Sequence, residues 1–228
     1  MNKRILIVGA SHGLGKVASL EFAKDGFVVT TLGRPTIDLA VPLTIEKKIF
    51  VNDYKDFDVI LHCSGGGLGY KDPILSWKEF NLLMMVNLIG AAEINRQIIP
   101  RMIEKKKGTI IHTCSIASGE AVGSVGYNTV KAALAAYVRS LGRELAPHGV
   151  VVCGIAPGGF EAPGNAMERL KETNPEAYQE FLDNRLPRHI MGNAEELIPL
   201  LKFLASDDAS MMGGCVVPID AGEGHYYS

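Results

Sequence analysis

The chain has 228 residues, 47% of them apolar and 21% charged, with a formal net charge of −2. That balance is the one of an ordinary globular protein and supplies no electrostatic pull toward nucleic acid or an anionic membrane surface. With no linker, repeat or low-complexity segment in view, residues 1–228 read as one domain.

Lys3 and Arg4 ahead of the apolar Ile5–Ala10 imitate a secretion signal, but the run is shorter than the ~7–15 residues of a signal core. It reads as a first strand, Arg4–Val8. Further β-rich runs follow at Phe27–Leu32, Thr36–Leu39 (brief), Val59–His62, Thr109–Thr113, Val150–Ile155 and Cys215–Ile219. They are continuously apolar rather than alternating, as expected of strands covered on both faces in a parallel sheet. Segments of helical period lie between them at Gly15–Lys24, Trp77–Lys106, Tyr127–Leu145 and Ala194–Ala205, and Asn193 with Glu196 fits a capping box before the last. The run Glu104–Lys107 ahead of Gly108 fits a solvated helix C-terminus.

This alternation predicts a single-domain, Rossmann-type, doubly wound parallel α/β sheet. From Arg34 to Thr36 there is no room for a helix, so the crossover helix between the second and third strands is lost. No run approaches the ~18 apolar residues of a membrane span. The cysteines at 63, 114, 153 and 215 are widely spaced, without C-x-x-C or a histidine at metal-ligand spacing. Buried reduced thiols, a cytoplasmic location and no metal are the expectations.

The first strand–helix junction carries Gly9-Ala10-Ser11-His12-Gly13-Leu14-Gly15-Lys16. As a triphosphate loop it fails, because Ala10 and Val17 stand where Gly and a Mg²⁺-binding hydroxyl are needed. As a dinucleotide turn it makes sense: glycines let a pyrophosphate approach, and the helix N-terminus offers free N–H groups and partial positive charge. The spacing is G-x-x-x-G-x-G, not the more widespread G-x-G-x-x-G.

Downstream, Ser115 follows the strand ending Ile110-Ile111-His112-Thr113, and Tyr127 stands four residues before Lys131, one helical turn on the same face. With Gly9–Gly15, with Asn87 in Met85-Val86-Asn87-Leu88, with Pro157-Gly158 and with Asp220-Ala221-Gly222, the chain resembles the short-chain dehydrogenase/reductase family, near its 3-oxoacyl carrier-protein reductase-like members. Departures are present. The family's Asn-Asn-Ala-Gly is His62-Cys63-Ser64-Gly65 here, and the threonine expected to meet the nicotinamide carboxamide is Ala162.

The resemblance implies hydride transfer between a nicotinamide cofactor and a carbonyl or secondary alcohol. A free phenol titrates near ~10, and an ammonium within ~4–6 Å favours its ionised form. By resemblance Tyr127 is the acid in reduction and the base in oxidation, with Lys131 tuning it and binding the nicotinamide ribose. Ser115 donates to the substrate oxygen, and Asn87 holds a water leading to Lys131. Gly9, Ser11, His12, Gly13, Leu14, Gly15, Ser64, Gly65, Gly66, Pro157 and Gly158 line the cofactor, and Asp38 with Leu39 meets the adenine.

The second strand ends Thr30-Thr31-Leu32-Gly33-Arg34, without the carboxylate that usually takes a ribose 2′-OH. Arg34 offers a fork suited to a 2′-phosphate and His12 a second basic group, so NADP(H) is favoured, with NAD possible. Residues 158–190 read as an irregular substrate lid. A small-molecule partner and a homodimer or homotetramer are expected, and the substrate stays open among acyl thioesters, keto-sugars and small ketones. The alternative is a dinucleotide-binding regulator or scaffold that keeps the fold without turnover.

Overall fold

Six strands form one all-parallel sheet in the computed structural model, which describes residues 2–34, 36–41, 44–45 and 56–225. The strands are β1 (Arg4–Val8), β2 (Val28–Leu32), β3 (Val59–His62), β4 (Gly108–Thr113), β5 (Val150–Pro157) and, after two short strands described below, β8 (Val216–Ile219). Their order is β2-β1-β3-β4-β5-β8. The chain starts at β1 and winds first one way and then the other, which places a switch point beside the C-terminal end of β1.

The expected strand at Thr36–Leu39 is not formed. Thr36 and Ile37 turn back on Gly33, their N–H groups donating to its carbonyl at 2.8 and 3.1 Å, and Asp38 accepts from the Ala40 N–H at 2.9 Å. The backbone groups of this stretch are satisfied locally, so they do not join a ladder. The crossover therefore runs from β2 to β3, and its described residues include a helical pair, Thr44 and Ile45, so the expected loss of the helix between the second and third strands is not met there. The rest of that crossover lies largely outside the described residues, and β2 is the margin of the sheet formed by the described ones.

Strand alternation sorts the core into two layers. Ile5, Ile7, Val59, Leu61, Ile111 and Ile155 face α1 (Gly13–Lys24) and the helix Ala194–Leu204. Leu6, Val8, Ile60, Ile110 and Val152 face Ile94, Ile98, Met102, Leu134 and Val138 on the opposite helices. Burial of each such side chain contributes about 1.5–3 kcal/mol. One continuous helical stretch carries the first of those opposite helices: α2 (Trp77–Met84), a π segment (Met85–Ile89) and α3 (Gly90–Lys105). It is 29 residues long and its most apolar 18-residue window reaches a mean hydropathy of 1.2, but polar residues such as Asn87, Glu93 and Asn95 interrupt it, and 44% of that window is buried against the protein itself. It ends at Lys106 in the left-handed conformation, φ 51°, inside the lysine run expected to close a helix. Behind it, α4 spans Val125–Leu145.

Residues 158–190 are more regular than their composition suggested. β6 (Phe160–Glu161) pairs in parallel with β7 (Gly192–Asn193), and α5 (Ala166–Thr173) and α6 (Pro175–Arg185) lie between them. Side-chain caps explain both helices. Asn165 accepts from the Glu168 N–H at 2.9 Å, and Asn174 accepts from the Ala177 N–H at 3.1 Å with Pro175 at the first helical position. The expected capping box is present before α7 (Ala194–Leu204), where Asn193 and Glu196 exchange bonds of 3.1 and 2.9 Å. All four cysteines are free, Cys114 and Cys153 buried, Cys63 and Cys215 half-buried.

Candidate active site

The C-terminal edge of the sheet gathers most of the predicted residues from six separate elements. The β1–α1 turn supplies Gly9–Gly15, the loop after β3 supplies Ser64–Gly66, and the π segment supplies Asn87. The end of β4 supplies Ser115, and the first turns of α4 supply Tyr127 and Lys131. Pro157 closes β5, with Gly158 next to it.

The dinucleotide turn is built on steric necessity. Gly9 has φ +86°, and a Cβ there would lie 2.3 Å from Ser64 Oγ and 2.8 Å from Ser64 N. A Cβ on Gly15 would lie 2.3 Å from the Gly9 carbonyl oxygen. Above Gly13, φ +61°, nothing lies within 4 Å. Helix α1 therefore begins under open space, without an acidic residue in its first turn and without a side-chain cap from His12. Its leading N–H groups have no intrahelical partners, and the residues fit a pyrophosphate. One of them is already engaged: Gly13 donates to the Pro163 carbonyl at 2.6 Å. His12 and Ser11 are exposed and joined at 2.9 Å, while Leu14 is buried beneath them.

Arg34 is exposed in the turn after β2, and Val8↔Leu32 registers β1 with β2, so Arg34 and His12 follow neighbouring strand ends. Asp38 is exposed. Leu39 packs on the start of α3, where a Cβ on Gly90 would meet the Leu39 carbonyl oxygen at 2.9 Å.

Gly65 and Gly66, at φ 135° and 132°, bring the loop after β3 close to the reactive side chains. A Cβ on Gly65 would lie 2.5 Å from Asn87 Oδ1 and 3.5 Å from Lys131 Nζ, and one on Gly67 would lie 3.7 Å from Tyr127 Cβ. Lys131 is buried to 4% exposure, donates to the Thr113 carbonyl at 2.8 Å, and places Nζ 5.8 Å from the centre of the Tyr127 ring. Ser115 is buried at the strand end in extended conformation, its Oγ accepting from the Ala117 N–H at 3.2 Å. Asn87 is buried and its amide is committed: it accepts from Gly66 N–H and donates to the carbonyls of Gly66 and Leu83.

Where the sequence departs from the family's asparagines, a different brace appears. His62 and His112 are partners across β3 and β4, with rings stacked at 4.5 Å between centres. Asn95 of α3 accepts from His62 Nε2 at 2.9 Å and donates to His112 Nε2 at 3.3 Å and to the Tyr137 hydroxyl at 3.1 Å. Burial lowers His62 to about 4, against the Asn95 bond, and burial, with repulsion from His62 when that ring is protonated and from the Lys131 ammonium, holds His112 well below its usual range. Both rings are neutral at ordinary pH. Burial pushes the Cys63 thiol up to about 12, which removes it as a nucleophile.

Sequence reading missed this network and also Glu223. The signal for the first was that both histidines stand near the C-terminal ends of apolar strand runs; for the second, that Glu223 directly follows Asp220-Ala221-Gly222. Other charges in 158–190 have structural partners: Glu161 with Lys171 at 3.2 Å and with Tyr178, and Arg188 with Glu196 at 3.2 Å.

A glycine turn at the start of a parallel doubly wound sheet, with a tyrosine and a buried lysine at the same sheet edge, defines a Rossmann-type fold. Comparison with known proteins agrees. The family model described as "Enoyl-(Acyl carrier protein) reductase" matches residues 47–223. The 3-oxoacyl-[acyl-carrier-protein] reductase of Aquifex aeolicus is 33% identical over 228 residues, covering 96% of this chain and 86% of that one. Two solved structures share the fold. The L-sorbose reductase of Gluconobacter frateurii, complexed with NADPH and L-sorbose, has TM-score 0.85 at 22% identity, covering 99% of this chain and 98% of that one. A 4-hydroxyisoleucine dehydrogenase complexed with NADH has TM-score 0.83 at 22% identity, covering 97% and 98%. The chain belongs to the short-chain dehydrogenase/reductase family and is an NAD(P)-dependent oxidoreductase.

Proposed function

We propose that this protein interconverts a small-molecule carbonyl and its secondary alcohol with Ser115, Tyr127 and Lys131, and that NADP(H) is its preferred cofactor. The observation that carries the reading is the placement of the buried Lys131 ammonium 5.8 Å from the Tyr127 ring centre, on the helix that packs against the turn following Ser115.

A bound nicotinamide dinucleotide supplies or accepts the hydride. Tyr127 gives its hydroxyl proton to the carbonyl oxygen in reduction and takes it back in oxidation. Ser115 turns its O–H to the same oxygen while Oγ keeps the Ala117 N–H, stabilising charge as it develops. Lys131 spends one N–H on Thr113 and has two left, for a ribose hydroxyl and for the proton path. The Asn87 side chain holds the Gly65–Gly66 loop, so a water on Asn87 falls to its main-chain carbonyl in the π segment, a kind of irregularity frequent at functional sites.

The glycine turn and the N-terminus of α1 hold the pyrophosphate, Pro157 and Gly158 border the nicotinamide, and Asp38 with Leu39 borders the adenine. Arg34 and His12 meet a 2′-phosphate. No acid stands at the end of β2 to take a 2′-OH instead, which supports NADP(H) over NAD. Residues 158–190 cover the substrate, the assembly is a homodimer or homotetramer, and the location is cytoplasmic.

The test is NADPH consumption, read by absorbance, over a panel of β-keto esters, keto-sugars and small ketones. Turnover with at least one, lost by about 10²–10⁴-fold in Tyr127→Phe with NADPH binding retained, is expected. Equal turnover by Tyr127→Phe sinks the assignment.

A further inference from the structure

Glu223 is buried to 4% exposure immediately after the Asp220-Ala221-Gly222 turn, and its carboxylate reaches two places far apart in the chain. Oε2 accepts from the Gly159 N–H at 2.5 Å, at the start of the 158–190 segment. Oε1 accepts from Arg185 Nη2 at 2.6 Å, at the last residue of α6. Asp220 fixes the turn that presents it, accepting from the N–H groups of Gly222 and Gly224 at 3.0 Å each. Gly158 leaves room for it, since a Cβ there would lie 2.6 Å from Oε2.

The second arm of Arg185 extends the link to the reactive helix. Its Nη1 donates to the Val122 carbonyl at 2.9 Å. The next residue, Gly123, lies against Tyr127, where a Cβ would stand 2.8 Å from Cδ1, and it donates from its N–H to Asn128 Oδ1 at 2.9 Å. Phe181 stacks under the guanidinium at 4.8 Å. One buried carboxylate thus closes the segment at both ends, and the cation it holds reaches the approach to Tyr127. Charge-assisted bonds of this kind are the stronger class.

We propose that Glu223 is a positioning residue that ties both ends of the 158–190 segment over the site, so that its loss loosens that segment and weakens retention of cofactor and substrate while leaving proton transfer by Tyr127 intact. The effect on turnover rests on the oxidoreductase reading above; the tether itself does not. Arg185 acts in the same unit, so removing either partner disables it.

The test combines hydrogen–deuterium exchange with kinetics on Glu223→Ala, Arg185→Ala and the double variant. Amides of residues 159–162 and of α6 are expected to exchange at least about tenfold faster in each, with α4 and β4 within about twofold of the parent. The double variant should be no worse than the worse single one. With NADPH and ethyl acetoacetate as probes, KM should rise about tenfold or more, kcat should fall by no more than about threefold, and the pH profile of kcat should stay in place. Glu223→Gln keeps an acceptor for Gly159 but not the charge for Arg185. It should give an intermediate opening, and it carries the test if Glu223→Ala does not fold. The proposal is overturned by unchanged exchange in 159–185, by equal opening of α4 and β4, or by additive effects in the double variant. If the parent turns over no carbonyl at all, the oxidoreductase reading falls and the exchange data alone decide the tether.

Discussion

Asn87 holds Gly66 by both of its backbone groups, accepting from the N–H at 2.9 Å and donating to the carbonyl at 3.0 Å, while Gly65 beside it leaves space for Lys131. The loop proposed to line the cofactor is therefore clamped by a helical segment that also packs against α4. Asn87→Ala should cost about 1–3 kcal/mol in urea unfolding, because buried partners lose their bonds. It should also weaken NADPH binding, which fluorescence titration reads. Asn87→Asp keeps the acceptor and loses both donors, so it should fall between. Full stability in Asn87→Ala would show that the clamp carries nothing.

The glycines of the first turn should separate into two kinds. Gly9→Ala combines φ +86° with a clash against Ser64 and is expected to destabilise the fold by about 1–3 kcal/mol. Gly13→Ala meets open space, so its folding cost is the left-handed conformation alone, about 1–2 kcal/mol, yet its methyl would stand where the pyrophosphate approaches. Thermal melts with and without NADPH check this. Gly13→Ala should lose most of the ligand-induced rise in Tm, and a normal rise would move the pyrophosphate elsewhere.

Arg34→Ala should weaken NADPH by about tenfold or more and leave NADH within about twofold, since only the former offers a 2′-phosphate to the guanidinium. Titration of both cofactors decides. Equal losses would refute the assignment to NADP(H).

The paired histidines make stability depend on pH. The His62 pKa is lowered from 6.5 in the unfolded chain to about 4, so the unfolded state binds more protons throughout that window. The stability His62 contributes by staying neutral is present above the unfolded value and is lost as pH falls through 6.5 to about 4. The loss attributable to His62 amounts to about 3 kcal/mol. Urea unfolding across that range should show a slope that His62→Gln reduces. An unchanged slope would assign the acid sensitivity to other groups.

Much of the architecture was legible because it is local. Continuous apolar runs gave every strand of the sheet, and Ser115, Tyr127 and Lys131 stand where one turn of α4 and the end of β4 bring them to a common edge. The stretch Thr36–Leu39 was misread because Ile37 and Leu39 imitate a strand. What decides it is that Asp38 and the Gly33 carbonyl offer the backbone local partners. Helices α5 and α6 escaped because they are short and polar, and only Asn165, Asn174 and Pro175 mark them. The brace of His62, Asn95, His112 and Tyr137 was hidden for another reason: it joins two strands and two helices, and neither periodicity nor spacing within any one of them signals the meeting. Glu223 likewise gains its meaning only when residues 159 and 185 arrive beside it.

The turn that replaces the third strand has a cost away from the cofactor. In the sheet of the described residues β2 has β1 as its sole neighbour, and Val28 is 50% exposed. An open parallel edge is a template on which another chain can add a strand. Here the hazard is contained by shortness: five residues, bounded by Gly26 and Gly33, with Arg34 adding charge at the end. The guanidinium assigned to the cofactor thus also guards against intermolecular β-pairing, and its replacement by a neutral residue should be watched for aggregation as well as for changed affinity.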